Sequence, residues 1–226
     1  MLAELSKAAQ DYIKAIYLEG ERRADGSPGL VPTNALAARL GVTAASATNM
    51  LKRLDSLGLV KHVPYRGAEL SPEGLAVALE IVRHHRLLET YLAETLGVPW
   101  EEVHAEAEVL EHVLSEQLEE RISAYLGHPT SDPHGHPIPT KDLTVAVLSR
   151  KRLWDVDVGG RATVDRVSDA RAEGLRYLGE LGIKPGAVLE VVDKGPVGGP
   201  LFVRLLPGGA AVVALSQEIA EAVWVA

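Results

Sequence analysis

Gly41-Val42-Thr43 leaves almost no chain in which to reverse direction, and that tightness constrains the N-terminal third more than any other feature. Before it, Asn34 to Leu40 puts Leu36 and Leu40 on one helical face, with Thr33 placed to cap them. After it, Thr43 is placed to cap a second helix running to Leu57, with Ala47, Met50, Leu54 and Leu57 at helical spacing and Gly58 as the stop. Two amphipathic helices joined by so short a Gly-containing turn predict a helix-turn-helix. An earlier helix is predicted from Ser6 to Leu18 with Ala9, Ile13 and Ile16 inward, followed by a polar break from Gly20 to Gly29. Leu59 to Val63, the turn Pro64-Tyr65-Arg66-Gly67 and Ala68 to Leu70 read as a hairpin, which makes the segment a winged helix. The outer face of its second helix offers Thr43, Ser46, Thr48, Asn49, Lys52 and Arg53, flanked by Arg39, Lys61, His62 and Arg66. Hydroxyls and an amide suit base edges, and the cations suit phosphates.

A net charge of −8 argues against nucleic acid, but the mean conceals a split. Residues 1–72 carry nine Lys and Arg against seven Asp and Glu, residues 73–142 four against fourteen, and residues 143–226 ten against ten. Seven of the eight His also fall in the acidic middle segment, which makes it a candidate cation site. There, Ser71-Pro72 opens a helix that runs to Gly97, and a second long helix is predicted from Pro99 to Leu126. On that second helix His104, Glu108, Glu111 and His112 fall within an arc of about 100°. His85 and Glu89 form an i, i+4 pair on the preceding helix. Two His and two carboxylates facing another such pair are a divalent-metal signature of helix bundles. The loop His134-Gly135-His136, flanked by Asp132, reads instead as a structural turn.

The chain has no cysteine, which excludes a disulfide scaffold, a thiolate metal site and a thiol nucleophile. Carboxylates and imidazoles then favour Mn(II) or Fe(II), with other divalent transition metals able to substitute. No H-E-x-x-H, G-x-S-x-G or Walker loop is present, so an enzyme is not expected, and a carboxylate–His metalloenzyme is the alternative. No apolar run approaches the roughly 18 residues of a membrane span, and the N-terminus lacks a signal peptide's pattern, so a soluble cytoplasmic protein is expected. From Arg161 onward, short strands at 162–164, 187–192, 201–205, 211–214 and 223–225, with a helix at 172–181, predict a small β-barrel. Residues 143–160 read as a linker anchored by Leu153-Trp154.

The chain resembles the diphtheria toxin repressor and manganese transport regulator family. The resemblance is carried by Asp11-Tyr12-Ile13, by His85-Arg86-Leu87-Leu88-Glu89, by the run from His104 to His112, and by the loop from Asp132 to Pro139. It implies a mainly α chain with a small β part: a winged helix-turn-helix DNA-binding domain (1–71), a helical dimerisation and metal-binding domain (72–142), a linker (143–160) and an SH3-like β-barrel (161–226). It implies a metal-activated repressor that binds an inverted-repeat DNA operator as a homodimer, with no membrane partner. The primary metal site it implies is Asp11, Glu108, Glu111 and His112, and the second is His85, Glu89 and His104. Iron-type members carry Met and Cys at the positions of Asp11 and Glu108, so the carboxylates here imply Mn(II), with an Fe(II)-responsive repressor as the alternative. Three-domain members add two ligands from the SH3-like domain. In the matching stretch the register puts Arg171 and Gly174 at those positions, leaving Asp169 and Glu173 as weaker candidates. Two-domain manganese members have a Glu ligand where this chain has Lys14, so their closely spaced pair of ions is not expected here.

Overall fold

The computed structural model describes residues 5–21, 30–208 and 211–226, so most of the Gly20–Gly29 break lies outside the described residues. The described residues form two compact units, the first made of residues up to 84 with 111–114 and 139–144, the second of 85–110, 115–138 and 145–226.

In the first unit, α1 (Lys7–Glu21) is opened by Ser6, whose hydroxyl accepts from the Ala9 amide at 3.4 Å. α2 (Thr33–Arg39) and α3 (Ala44–Ser56) flank the tight turn, where Gly41 takes φ +64°, a left-handed conformation that costs glycine least. Thr43 caps α3 as expected, accepting from the Ser46 amide at 3.1 Å. Thr33 does not cap α2. The cap position belongs to Pro32, which offers no side-chain acceptor, and Thr33 is the first helical residue. The inward face of α3 is Ala47, Leu51 and Leu54, whereas Leu57 is 53% exposed.

β1 (Val60–Val63) and β2 (Gly67–Leu70) pair antiparallel with Val60 opposite Leu70, and Val31 adds a short bridge to Ala68. These elements enclose a core centred on Ile13, Leu36, Leu51, Leu54 and Ile81. Ile81 comes from α4 (Pro72–Leu96), which is capped by Ser71 through the Gly74 amide at 2.9 Å. α4 contributes to the first unit as far as His84.

In the second unit the predicted long helix from Pro99 to Leu126 is two helices, α5 (Val103–Leu110) and α6 (Glu116–Tyr125). Pro99 to Glu102 is non-helical, and the chain leaves helical geometry again after Leu110. Ser115 starts α6 afresh by accepting from the Leu118 amide. Glu111 and His112 therefore stand in a turn, not on the helix that carries His104 and Glu108.

The C-terminal part of the same unit is a five-stranded antiparallel sheet ordered β6-β5-β4-β3-β7, with β3 at Arg161–Val167, β4 at Val188–Lys194, β5 at Leu201–Leu206, β6 at Val212–Leu215 and β7 at Val223–Val225. α7 (Ala172–Glu180) lies between β3 and β4 in sequence, and a short α8 (Gln217–Glu221) that the sequence did not suggest precedes β7. The sheet closes over Val164, Leu175, Leu178, Leu189, Val203 and Leu215, an SH3-like domain. Leu153 is buried in this core, as expected of the anchor.

Gly67 is held at φ +123°, and a Cβ there would come 2.0 Å from the Val31 carbonyl oxygen. Gly67→Ala should therefore cost on the order of 2 kcal/mol by prising the hairpin from Val31, read as a lowered thermal midpoint. An unchanged midpoint would show that the bridge yields freely.

Candidate metal centres and nucleic-acid interface

Asp11, Glu111 and His112 each offer a ligand atom within 4.8 Å of the others. α1 presents Asp11, and the turn after α5 presents the other two. That turn is fixed by buried polar contacts: Lys14 Nζ lies 2.7 Å from Glu111 Oε2, and His84 Nδ1 is 3.3 Å from the Glu111 carbonyl oxygen. His112 points Nε2 at Asp11 Oδ1 (2.9 Å) and Glu111 Oε1 (3.5 Å). On its other side Nδ1 meets Gln10 Oε1 at 2.7 Å. His112 Nε2 is buried and, among the described residues, makes no hydrogen bond of acceptable angle despite its nearness to Asp11. A ring nitrogen set between two carboxylates suits a hard-to-borderline divalent cation. Glu108 is found elsewhere: its carboxylate is 3.6 Å from His104 Nε2, and it groups with His85 and His104.

The second cluster is built around Glu89, which is fully buried. Its Oε1 takes His85 Nε2 at 2.9 Å and His104 Nδ1 at 3.1 Å. Asp169, from the loop before α7, brings Oδ2 to 3.8 Å from His104 Nδ1, and Glu89, His104 and Asp169 form a possible ligand set. Of the two weaker candidates Asp169 thus reaches the cluster. Glu173 is exposed on α7 and belongs to none of the possible ligand sets among the described residues. Arg171 stands at the N-cap of α7 and pairs with Glu218.

The loop from Asp132 to His136 is the turn expected of it, ordered by Asp132 Oδ1 accepting from the His134 amide (2.8 Å) and the His136 amide (3.0 Å). It also does more than the sequence suggested. It places the fully buried His134 with Nδ1 3.7 Å from Glu89 Oε2 and Nε2 2.7 Å from the Trp100 carbonyl oxygen. Glu89 Oε2, His134 Nδ1 and Asp132 Oδ2 are buried atoms without a hydrogen bond among the described residues. Nothing in the sequence distinguished a ligand-like histidine from a turn histidine; the one available signal was the Asp-x-His-x-His spacing itself.

Burial alone would raise the Glu89 carboxyl and lower the His134 ring. The charge of His85, the hydrogen bonds from His104 and His85 and the close approach of His134 instead hold Glu89 well below the usual carboxylate range. Burial lowers His134, but the nearby Glu89 carboxylate, then the charge of Asp132, outweigh it and raise it to about 9. Asp169 is raised by burial but drawn down to about 2, mainly by His136. His136 in turn is raised against burial, mainly by Asp132.

In the first unit, Thr43, Ser46, Asn49, Lys52 and Arg53, the residues expected to meet DNA, are exposed along α3. The Thr48 hydroxyl donates to the Ala44 carbonyl at 2.8 Å. Arg39 is held 3.0 Å from Glu19, and Lys61 lies 3.4 Å from Glu69 across the hairpin. Thr48, Lys52, His62, Tyr65 and Arg66 line a cleft of about 440 Å³ between α3 and the hairpin turn. Tyr65, in the hairpin turn, stands fully exposed at φ +63°.

A winged helix-turn-helix, carboxylate–imidazole clusters and an SH3-like domain in one chain define a metal-responsive DNA-binding regulator. The chain matches the iron dependent repressor N-terminal DNA binding domain over residues 4–68, the iron dependent repressor metal binding and dimerisation domain over 71–140, and the FeoA domain over 151–226. It is 34% identical to the iron-dependent repressor IdeR of Mycobacterium tuberculosis over 236 residues, covering 98% of each chain. It is 32% identical to the diphtheria toxin repressor of Corynebacterium diphtheriae, covering 85% of this chain and 88% of that protein. Among solved structures it resembles a manganese-dependent transcriptional repressor in complex with manganese, with 41% identity, TM-score 0.88, and 96% and 98% of the two chains covered. The chain belongs to the iron-dependent repressor family of metal-dependent transcriptional repressors, which is not a family of enzymes. No helix among the described residues is long and apolar enough to cross a membrane.

A group whose folded pKa is raised stabilises the fold below its unfolded value and loses that contribution as pH rises through the folded one. For His134 the window runs from about 6.5 to about 9. With chelator present, unfolding stability should fall by on the order of 2 to 3 kcal/mol across that range, and His134→Gln should flatten the loss. Equal slopes in the two proteins, measured by denaturant titration, would separate His134 from the Glu89 cluster.

Proposed function

We propose that this chain is a Mn(II)-activated repressor of metal-homeostasis genes, acting in the cytoplasm as a homodimer on an inverted-repeat operator. The observation that carries the reading is the donor set at Asp11, Glu111 and His112: two carboxylates and one imidazole, with no thioether or thiolate. Glu108, three residues before Glu111, is retained as the fourth primary donor on the family resemblance. His85, Glu89 and His104, joined by Asp169 and by His134 beside Glu89, make the second centre. An Fe(II)-responsive repressor is the second reading, favoured by the iron-dependent relatives.

The residues divide the work as follows. When bound, a divalent ion supplies a shared partner for carboxylates that would otherwise repel one another. Asp11 belongs to the DNA-binding segment, Glu111 and His112 to the dimerisation segment. Ligation by all three ties α1 to the turn after α5. In a two-fold dimer this tie would set the separation of the two α3 helices, which must match half-sites about 34 Å apart or a multiple of that. Metal and DNA are then reciprocally coupled, each tightening the other by the same factor. Exposed Leu96, Val109, Leu118 and Tyr125 on α4, α5 and α6 are the apolar surface offered for the dimer.

Selection from a random duplex pool, in parallel with Mn(II) and with chelator at fixed moderate salt, tests the function directly. An inverted repeat enriched only with Mn(II) is the expected result. Equal enrichment in both arms would make the metal structural, and none in either would overturn the inverted-repeat operator. Glu108→Ala should abolish Mn(II)-dependent operator binding while leaving fold and dimer intact. Wild-type affinity at saturating Mn(II) would remove Glu108 from the primary set.

A further inference from the structure

A histidine ligand has two ring nitrogens, and a site works only if the correct one carries the lone pair. At His112 the choice is made by a residue that neither offers a ligand atom nor was marked in the sequence. Gln10 is 3% exposed on the first turns of α1. Its Nε2 donates to the Leu5 carbonyl oxygen at 3.2 Å, and its Oε1 lies 2.7 Å from His112 Nδ1.

The Leu5 carbonyl can only accept, so the amide must present its NH2 group there and its oxygen to the ring. An amide oxygen can only accept in its turn, so Nδ1 must hold a proton. That leaves Nε2 as the ligating nitrogen, the atom that faces Asp11 Oδ1 and Glu111 Oε1. The chain of donors from Gln10 Nε2 to His112 Nδ1 therefore has one consistent direction, set by a backbone carbonyl ahead of α1.

We propose that Gln10 is the positioning residue of the primary centre. It fixes the tautomer and rotation of His112 and links ligation there to the backbone at Leu5. The proposal rests on the reading of Asp11, Glu111 and His112 as a divalent-cation site. Outer partners of ligating histidines are commonly worth ten- to a hundredfold in metal affinity, because they hold the ring and raise its basicity.

The test uses the full chain without DNA. Mn(II) affinity is measured by competition with a chelating dye for the wild type, Gln10→Leu, Gln10→Glu and Asp11→Ala, with circular dichroism reporting the fold. The Glu variant keeps an acceptor for Nδ1–H but gives up the amide donation to Leu5, so it isolates the first contact. Gln10→Leu should weaken Mn(II) binding ten- to a hundredfold, and Gln10→Glu should stay within a few-fold of wild type. Wild-type affinity in the Leu variant overturns the proposal, and so does equal loss in both Gln10 variants, which would make the side chain a filler. If Asp11→Ala binds as wild type does, the site reading itself fails, a different outcome from failure at Gln10. Nitrogen-15 spectra of the Zn(II)-loaded wild type provide a measurement that needs no variant. His112 should ligate through Nε2 and retain Nδ1–H, and ligation through Nδ1 would overturn the proposal.

Discussion

A carboxylate taken fully out of water must be answered by positive charge or by donors, and Glu89 is answered by three imidazoles. That requirement organises the second unit. It fixes His85 one turn earlier on α4, draws His104 from α5, and calls for the loop from Asp132 to His136 to deliver His134 from a distant stretch of chain. Asp132 makes that delivery possible by spending one oxygen on two backbone amides, which holds the loop tight enough for a histidine to reach inward. The opposed shifts at Glu89 and His134 are the mark of that mutual support: the ring's charge favours the carboxylate and the carboxylate favours the charged ring.

The first unit answers the same problem differently. Glu111 is also buried, but a lysine ammonium meets it, and Lys14 is itself only 4% exposed. One oxygen of Glu111 faces that ammonium while the other turns toward His112. The ion pair keeps the carboxylate in place with the ligand-bearing edge already oriented, at the cost of placing a positive charge beside the position a divalent ion would take. Where the second cluster surrounds its carboxylate with imidazoles, this one meets it with an ammonium.

Much of this was legible in the chain. Gly41, the Thr43 cap and the Gly58 stop placed α2 and α3 because local capping and left-handed turn geometry decide helix ends. The hairpin and all the C-terminal strands followed from turn residues and alternation. The helix break after Leu110 was not legible. Val103, Ala107, Leu110 and Leu114 keep helical spacing straight through it, so periodicity carried the prediction across. Ser115 with Glu116 and Glu119 behind it was a cap signal available in the text, outweighed there by the apolar repeat. The break matters for chemistry: a continuous helix makes one stripe of His104, Glu108, Glu111 and His112, whereas the turn after Leu110 carries Glu111 and His112 toward Asp11 while the Glu108 carboxylate lies beside His104.

The residues hardest to read were those whose role is set by contacts over long sequence separations. Gln10 lies 102 positions from His112, and His134 lies 34 from the Trp100 carbonyl that holds its ring. Each is an ordinary residue in an ordinary local pattern, a helix glutamine and a loop histidine. A ligand has to be a particular chemical type, so composition and spacing can nominate it. A residue that aims a ligand need only offer one donor or acceptor at the right point, and many types can do so. Metal ligands are therefore nominated by sequence more readily than the groups that orient them, and the second layer of such a site becomes visible only when the fold has brought distant segments together.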